Sequence, residues 1–187
     1  MRMSDLKQYK QNTYSQYGED GIVEELLKRA GLTGSLDGWW CLDIGAWDGL
    51  HLSNVQCLVE REAMAVEVES MQSRFAALEE LATEWPIMAI HAAVDVANIE
   101  EILAVAYVGA GELGRPLLCS IDIDGDHAGL LGKVPWNFEI VIAEWNNRGD
   151  KSQDKPLREW AASNGYTVVC RTNSNLIMTK DGGICAQ

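Results

Sequence analysis

The sequence has no run of basic residues. Lysine and arginine number 15 against 28 acids, a formal net charge of −13 over 187 residues. A chain this acidic is poorly suited to gripping nucleic acid through its phosphates, so nucleic acid is not an expected partner. No apolar stretch is long enough to span a bilayer, and no membrane partner is expected. Residues 1–17 are polar and lack the apolar core of a signal peptide. No Cys-x-x-Cys pair occurs. Cys41, Cys57, Cys119, Cys170 and Cys185 are scattered and odd in number, which suggests neither a zinc site nor a disulfide framework. Several fall in apolar runs, where a free thiol acts as a small hydrophobe, and a reducing cytoplasm is the expected setting. Internal repeats, low-complexity tracts and a domain boundary are also missing. What remains is an ordinary globular composition, 47% hydrophobic and 23% charged, in a length that fits one domain with a real core. Residues 1–18 read as an N-terminal arm or lid, and 19–187 as the domain.

Apolar periodicity divides the chain into alternating elements. Asp20 is placed to cap a helix from about Gly21 to Ala30, and Ser53 a helix to Glu62. Ser70 is placed to cap a third, running to Thr83 with Met71, Phe75, Leu78 and Leu81 on one face. Short apolar runs predict strands over 39–44, 64–68, 87–91, 117–123 and 140–144. A helix after Asn98, a short helical piece over 129–134 and a helix over 157–164 lie among and after them. Residues 109–114, with Glu112, read as a flexible loop. Strands alternating with helices predict an α/β fold, a parallel sheet with helices on both faces. The runs 167–171 and 175–179 are too close for a helical crossover and should pair antiparallel.

The first predicted strand runs into Asp43-Ile44-Gly45-Ala46-Trp47-Asp48-Gly49. A strand that ends in a glycine turn and opens a helix is a nucleotide-cofactor arrangement. Glycines let the backbone approach a ligand, and the helix start offers free N–H groups. The spacing is Asp-x-Gly-x-x-x-Gly, neither the Gly-x-Gly-x-x-Gly of dinucleotide binders nor a phosphate-binding P-loop. An acid at the strand end disfavours phosphate and suits an amine or a ribose hydroxyl, which points to S-adenosylmethionine. An ordinary strand-to-helix turn carries the same glycines.

In such a sheet, ligands sit at the carboxyl ends of the strands. Glu67 and Glu69 share a face there, and Glu67, directly after the apolar run, is the preferred ribose acid. Ala92 and Ala93, after the third strand, would leave room for a flat ring. Asp122 and Asp124 share a face by strand alternation. They read as a general base or as oxygen ligands of a divalent metal, or simply as solvated acids. His127 and His51 are bases by residue type, though a lone histidine is more often structural. Asn146, Asn147 and Arg148 are candidate substrate contacts at the mouth, or turn residues.

Several stretches together resemble the FkbM-like methyltransferases. They are Ser15-Gln16-Tyr17-Gly18-Glu19-Asp20, Leu42 to Gly49 with Leu52-Ser53-Asn54, and Val66-Glu67. Further along come Ala92-Ala93-Val94, Ser120 to Gly125, Ala143 to Asn146 and Thr172 to Asn175. The motifs stand in the family's order over most of the chain. The resemblance implies a Rossmann-like seven-stranded sheet, mostly parallel with an antiparallel last strand. It also implies S-adenosylmethionine as cofactor and methyl transfer to an oxygen of a sugar, polyketide or other small molecule. On that correspondence Asp43, Gly45, Ala46 and Gly49 line the methionine part and Glu67 binds ribose. Ala92 and Ala93 sit by adenine, and Asp122 faces the reacting end; for methyl transfer, Asp122, Asp124 or His127 is the candidate base for the acceptor's proton. Val68 departs from the family, which often has proline there, and the segment between strands four and five is short. Two rivals stand beside this reading: a metal-dependent enzyme of another class on the same fold, and a non-catalytic nucleoside-binding protein.

Overall fold

The structure is a computed structural model that describes residues 3–109, 113–146 and 149–185. Glu112 of the expected loop, and Asn147 and Arg148 of the expected mouth, lie outside the described residues. The strands are β1 (Trp39–Ile44), β2 (Met64–Glu69), β3 (Ile87–His91), β4 (Arg115–Ile121), β5 (Ile140–Glu144), β6 (Tyr166–Arg171) and β7 (Asn175–Lys180). They form one seven-stranded sheet in the order β3-β2-β1-β4-β5-β7-β6. β7 runs antiparallel to both β5 and β6, and the other pairings are parallel. This is the expected doubly wound sheet, with the chain reversing its direction of travel between β1 and β4.

The helices are α1 (Met3–Leu6), α2 (Glu19–Arg29), α3 (Gln56–Val59), α4 (Gln72–Leu81), α5 (Ile99–Gly109), α6 (His127–Leu131) and α7 (Asp154–Ser163). Strand alternation gives the sheet two apolar faces. Trp40, Leu42, Val66, Cys119 and Val141 pack with Ile99, Leu103, Leu130 and Leu157 of α5, α6 and α7. Cys41, Leu118, Ile140 and Ile142 pack on the other side with Leu6, Ile22, Leu26 and Leu58 of α1, α2 and α3. All six residues of β1 are buried, because β1 is covered on both faces. All five cysteines are free thiols. No helix among the described residues is long and apolar enough to cross a membrane.

The strand positions match the apolar runs closely; the helix starts differ for local reasons. α2 begins at Glu19, after Gly18 at φ 93°, and Asp20 lies inside its first turn rather than capping it. Its carboxylate instead accepts N–H bonds from Thr13, Tyr14 and Ser15, folding the preceding segment back onto the helix. The helix expected over 53–62 is a single turn. Ser53 Oγ accepts from the N–H groups of Val55 and Gln56, and Glu62 at φ 75° ends the segment. Ser70 does not cap α4; Met71 holds that position. β4 ends at Ile121, so Asp122 is the first residue past the strand. Leu6, in the expected arm, is fully buried.

A cofactor-sized cleft at the end of the sheet

The turn after β1 is shaped by what touches it. Gly45 has φ 91°, and the N–H groups of Gly45 and Ala46 donate to the Val68 carbonyl at 2.9 and 3.1 Å. A Cβ on Gly45 would lie 2.1 Å from the Asp122 carbonyl oxygen, so only glycine lets this turn meet the end of β4. Trp47 also takes a left-handed conformation, φ 58°, and its N–H donates to Glu69 Oε2 at 2.9 Å. Met71 N–H donates to Glu69 Oε1 at 2.6 Å. Two backbone amides from different elements thus orient one carboxylate at the tip of β2.

A cleft of about 500 Å³ opens over the carboxyl ends of the strands, at the point where strand order reverses. From the β1–β2 side it is lined by Asp43, Gly45, Ala46, Trp47 and Glu69. From the β4–β5 side it is lined by Asp122, Asp124, Glu144 and Asn146. Gln16 and Tyr17 from the N-terminal segment, and Asn173 and Ser174 from the β6–β7 turn, complete the wall. One carboxylate ties these last two segments together. Glu19 is fully buried and accepts from the Thr172 hydroxyl at 2.6 Å, Asn175 Nδ2 at 3.0 Å and Tyr17 N–H at 2.8 Å.

The floor is a titratable group. Asp43 is 4% exposed, and burial raises its carboxyl to about 7. Nearby Asp122 and Glu69 add to that, while a hydrogen bond from Ser120 opposes it. Ser120 Oγ is itself held by Asn54 Nδ2 at 3.1 Å. Asp122 is raised as well, first by loss of water, against the pull of His127 and a hydrogen bond with Glu144. At the rim, burial works against Asp48. The N–H groups of His51 and Leu50 and the His51 ring outweigh it and hold that carboxyl below its usual range.

Asp43, Gly45, Ala46, Asp122 and Asp124 therefore come together in one cleft, as the sequence predicts. His51 and Asn146 also line that cleft, whereas Glu67, Gly49, Ala92, Ala93 and His127 do not. Of the two β2 acids, Glu69 lines the cleft and Glu67 does not. Glu67 is fully buried, neither carboxyl oxygen has a hydrogen-bond partner, and burial raises it well above the usual range. Gly49 faces Leu81, Leu78 and Glu67 instead of the cleft. Its glycine is needed to seat the turn on α4. Ala92 and Ala93 do not line the cleft, and Ala92 N–H donates to the Glu69 carbonyl. His127 is 2% exposed, with both ring nitrogens on backbone carbonyls, and does not line the cleft. Among the described residues, no three His, Cys, Asp or Glu side chains converge as metal ligands. The divalent metal that is one reading of Asp122 and Asp124 thus has no ligand set among them.

No family model matches the chain, and no curated protein does. Solved structures do. The bifunctional kinase-methyltransferase WbdD aligns at 17% identity and TM-score 0.55, over 84% of this chain and 39% of that one. The precorrin-6y C5,15-methyltransferase of Geobacter metallireducens GS-15 aligns at 12% identity and TM-score 0.54, over 92% and 93%. Fibrillarin, in its complex with Nop5p, aligns at 18% identity and TM-score 0.51, over 83% and 80%. The chain thus spans about two fifths of the length of WbdD. At these identities the likeness is one of fold, and the fold is the Rossmann-like seven-stranded methyltransferase sheet.

Proposed function

We propose that this protein is an S-adenosylmethionine-dependent methyltransferase of the FkbM-like type. It transfers a methyl group to an oxygen of a small hydroxylated molecule, in the cytoplasm. The observation that carries the reading is the placement of Asp43 and Glu69 on either side of the Gly45 turn. The bare Gly45–Ala46 backbone leaves room for a ligand to lie along the turn. Glu69, fixed by the Trp47 and Met71 amides, keeps lone pairs free for a pair of neighbouring hydroxyls such as those of ribose. Asp43 offers a buried carboxyl that gains most from meeting a cation.

The cofactor, when bound, supplies an electrophilic methyl group on a cationic sulfur. What remains for the chain is positioning, which suits a rigid cleft whose walls come from four strand ends. Asp122 and Asp124 line the β4 side of the cleft, and one of these two carboxylates takes the acceptor's proton. The likeness in fold to WbdD and to the precorrin methyltransferase supports the reading. Isothermal titration with S-adenosylmethionine and S-adenosylhomocysteine tests it. Micromolar binding of both is expected, and binding of neither would refute the proposal.

A further inference from the structure

One wall of the cleft is built from two segments far apart in sequence. Residues 13–17 precede α2, and residues 172–174 join β6 to β7. Asp20 folds the first segment back, its Oδ2 accepting from the N–H groups of Thr13, Tyr14 and Ser15 at 2.8, 2.7 and 2.9 Å. Glu19 then ties the two together. One of its oxygens takes the Tyr17 N–H at 2.8 Å, and the other takes the Thr172 hydroxyl at 2.6 Å and Asn175 Nδ2 at 3.0 Å. Asn146, just past β5, holds the turn from below: its Nδ2 donates to the Asn173 carbonyl at 2.9 Å and its N–H to the Ser174 carbonyl at 3.2 Å. Asn12 Nδ2 donates to the Gln16 carbonyl at 2.9 Å. Each of these bonds reaches Gln16, Tyr17, Asn173 and Ser174 through a backbone group, while the residues themselves line the cleft. A few polar side chains on a fixed support are what orients a ligand in a pocket.

Position on the sheet decides what this wall meets. Neighbouring strands lie about 4.8 Å apart, so in the order β3-β2-β1-β4-β5-β7-β6 the end of β5 stands three spacings from β2, about 14 Å, and β7 four, about 19 Å. A ribose on Glu69, with its methionine part along the Gly45 turn, fills the β2–β1 half. The wall faces the other half, beyond the sulfur. Gln16 and Asn173 each offer two N–H donors and a carbonyl acceptor, a set that matches adjacent hydroxyls, which both give and accept. Tyr17 adds an aromatic face with a polar tip.

We propose that Gln16, Tyr17 and Asn173 are the specificity-determining residues for the methyl acceptor, and that they hold a ring carrying adjacent hydroxyl groups. Their assignment to the acceptor rests on the methyltransferase reading.

The test is NMR of the side-chain amides of the whole protein, with and without S-adenosylhomocysteine. The probes are methyl α-glucoside, methyl α-mannoside and methyl α-galactoside, and the signals are assigned through Gln16→Ala and Asn173→Ala. At least one glycoside should shift both amide signals saturably, whether or not S-adenosylhomocysteine is present. Each variant should weaken that glycoside about fivefold or more, the loss of one or two hydrogen bonds. Each should bind S-adenosylhomocysteine within about twofold of wild type, since the two halves of the cleft are well separated. No shift with any of the three glycosides would overturn the proposal. So would competition between the glycoside and S-adenosylhomocysteine, or an equal loss of both in either variant. Glycoside binding by a protein that takes up no S-adenosylhomocysteine would count against the methyltransferase reading and leave the hydroxyl-binding wall standing.

Discussion

Asp43 and Glu67 are partners in register on adjacent parallel strands, yet only Asp43 reaches the cleft. Glu67 ends beneath the turn, its Oε2 about 3 Å from where a Gly49 side chain would begin. Two acids side by side on a buried sheet face carry a cost that falls on stability, and the cost depends on pH.

The sign follows from the raised values. Asp43 rises from 3.8 to about 7 on folding, so the folded state holds a proton that the unfolded state has lost. Stability therefore falls as pH climbs between those two values and levels off above the upper one. For Asp43 alone the loss is roughly 4 kcal/mol across the window. Glu67 acts in the same direction. Asp43→Asn is expected to raise the melting temperature at neutral pH and to flatten its decline with pH. The same variant should lose affinity for a cationic cofactor. Thermal melts across pH, beside titrations, check both.

Ionising Asp43 on binding a cation implies that a proton leaves. Below neutral pH, S-adenosylmethionine binding should release up to about one proton. Titrations in buffers of different ionisation enthalpy measure it, and Asp43→Asn should abolish the release.

Gly45→Ala should cost about 1–3 kcal/mol or more, because the new Cβ meets the Asp122 carbonyl and the left-handed backbone adds strain. Gly132→Ala is the control, since a Cβ there makes only ordinary contacts at 3.4 and 3.5 Å. Urea melts of the two variants should separate clearly.

Glu19→Gln is expected to cost about 1–3 kcal/mol by weakening bonds to Thr172, Asn175 and Tyr17. It should also speed proteolysis of residues 10–18, which that carboxylate fastens to the β6–β7 turn. Limited digestion followed by mass spectrometry reads this directly.

Much of this was legible in the residues, and the exceptions share a cause. β1, β3 and β5 are central or apolar enough for their runs to mark their ends. The short gap between Arg171 and Asn175 leaves no room for a crossover, which makes β7 antiparallel. The glycine turn and Asp122 were visible because backbone demands and strand ends leave local marks. The choice between Glu67 and Glu69 was not. Period-two alternation puts both on one face, and only the fold of the turn decides which is covered. Glu19 finds Thr172 and Asn175 more than 150 residues away. His127 is held by carbonyls at two strand ends, and no side-chain pattern announces a carbonyl. Ser53 marks where the chain turns toward α3 but not how far the helix runs, since its hydroxyl binds the N–H groups of Val55 and Gln56 whether one turn or three follow.

The most direct test compares two neutral isosteres in one titration series with S-adenosylhomocysteine. Glu69→Gln should weaken binding about tenfold or more, the loss of a charged hydrogen-bond acceptor at the sugar. Glu67→Gln should bind within about twofold of wild type. Loss of binding in Glu67→Gln with Glu69→Gln unaffected, or no binding to the wild-type protein at all, would contradict the account.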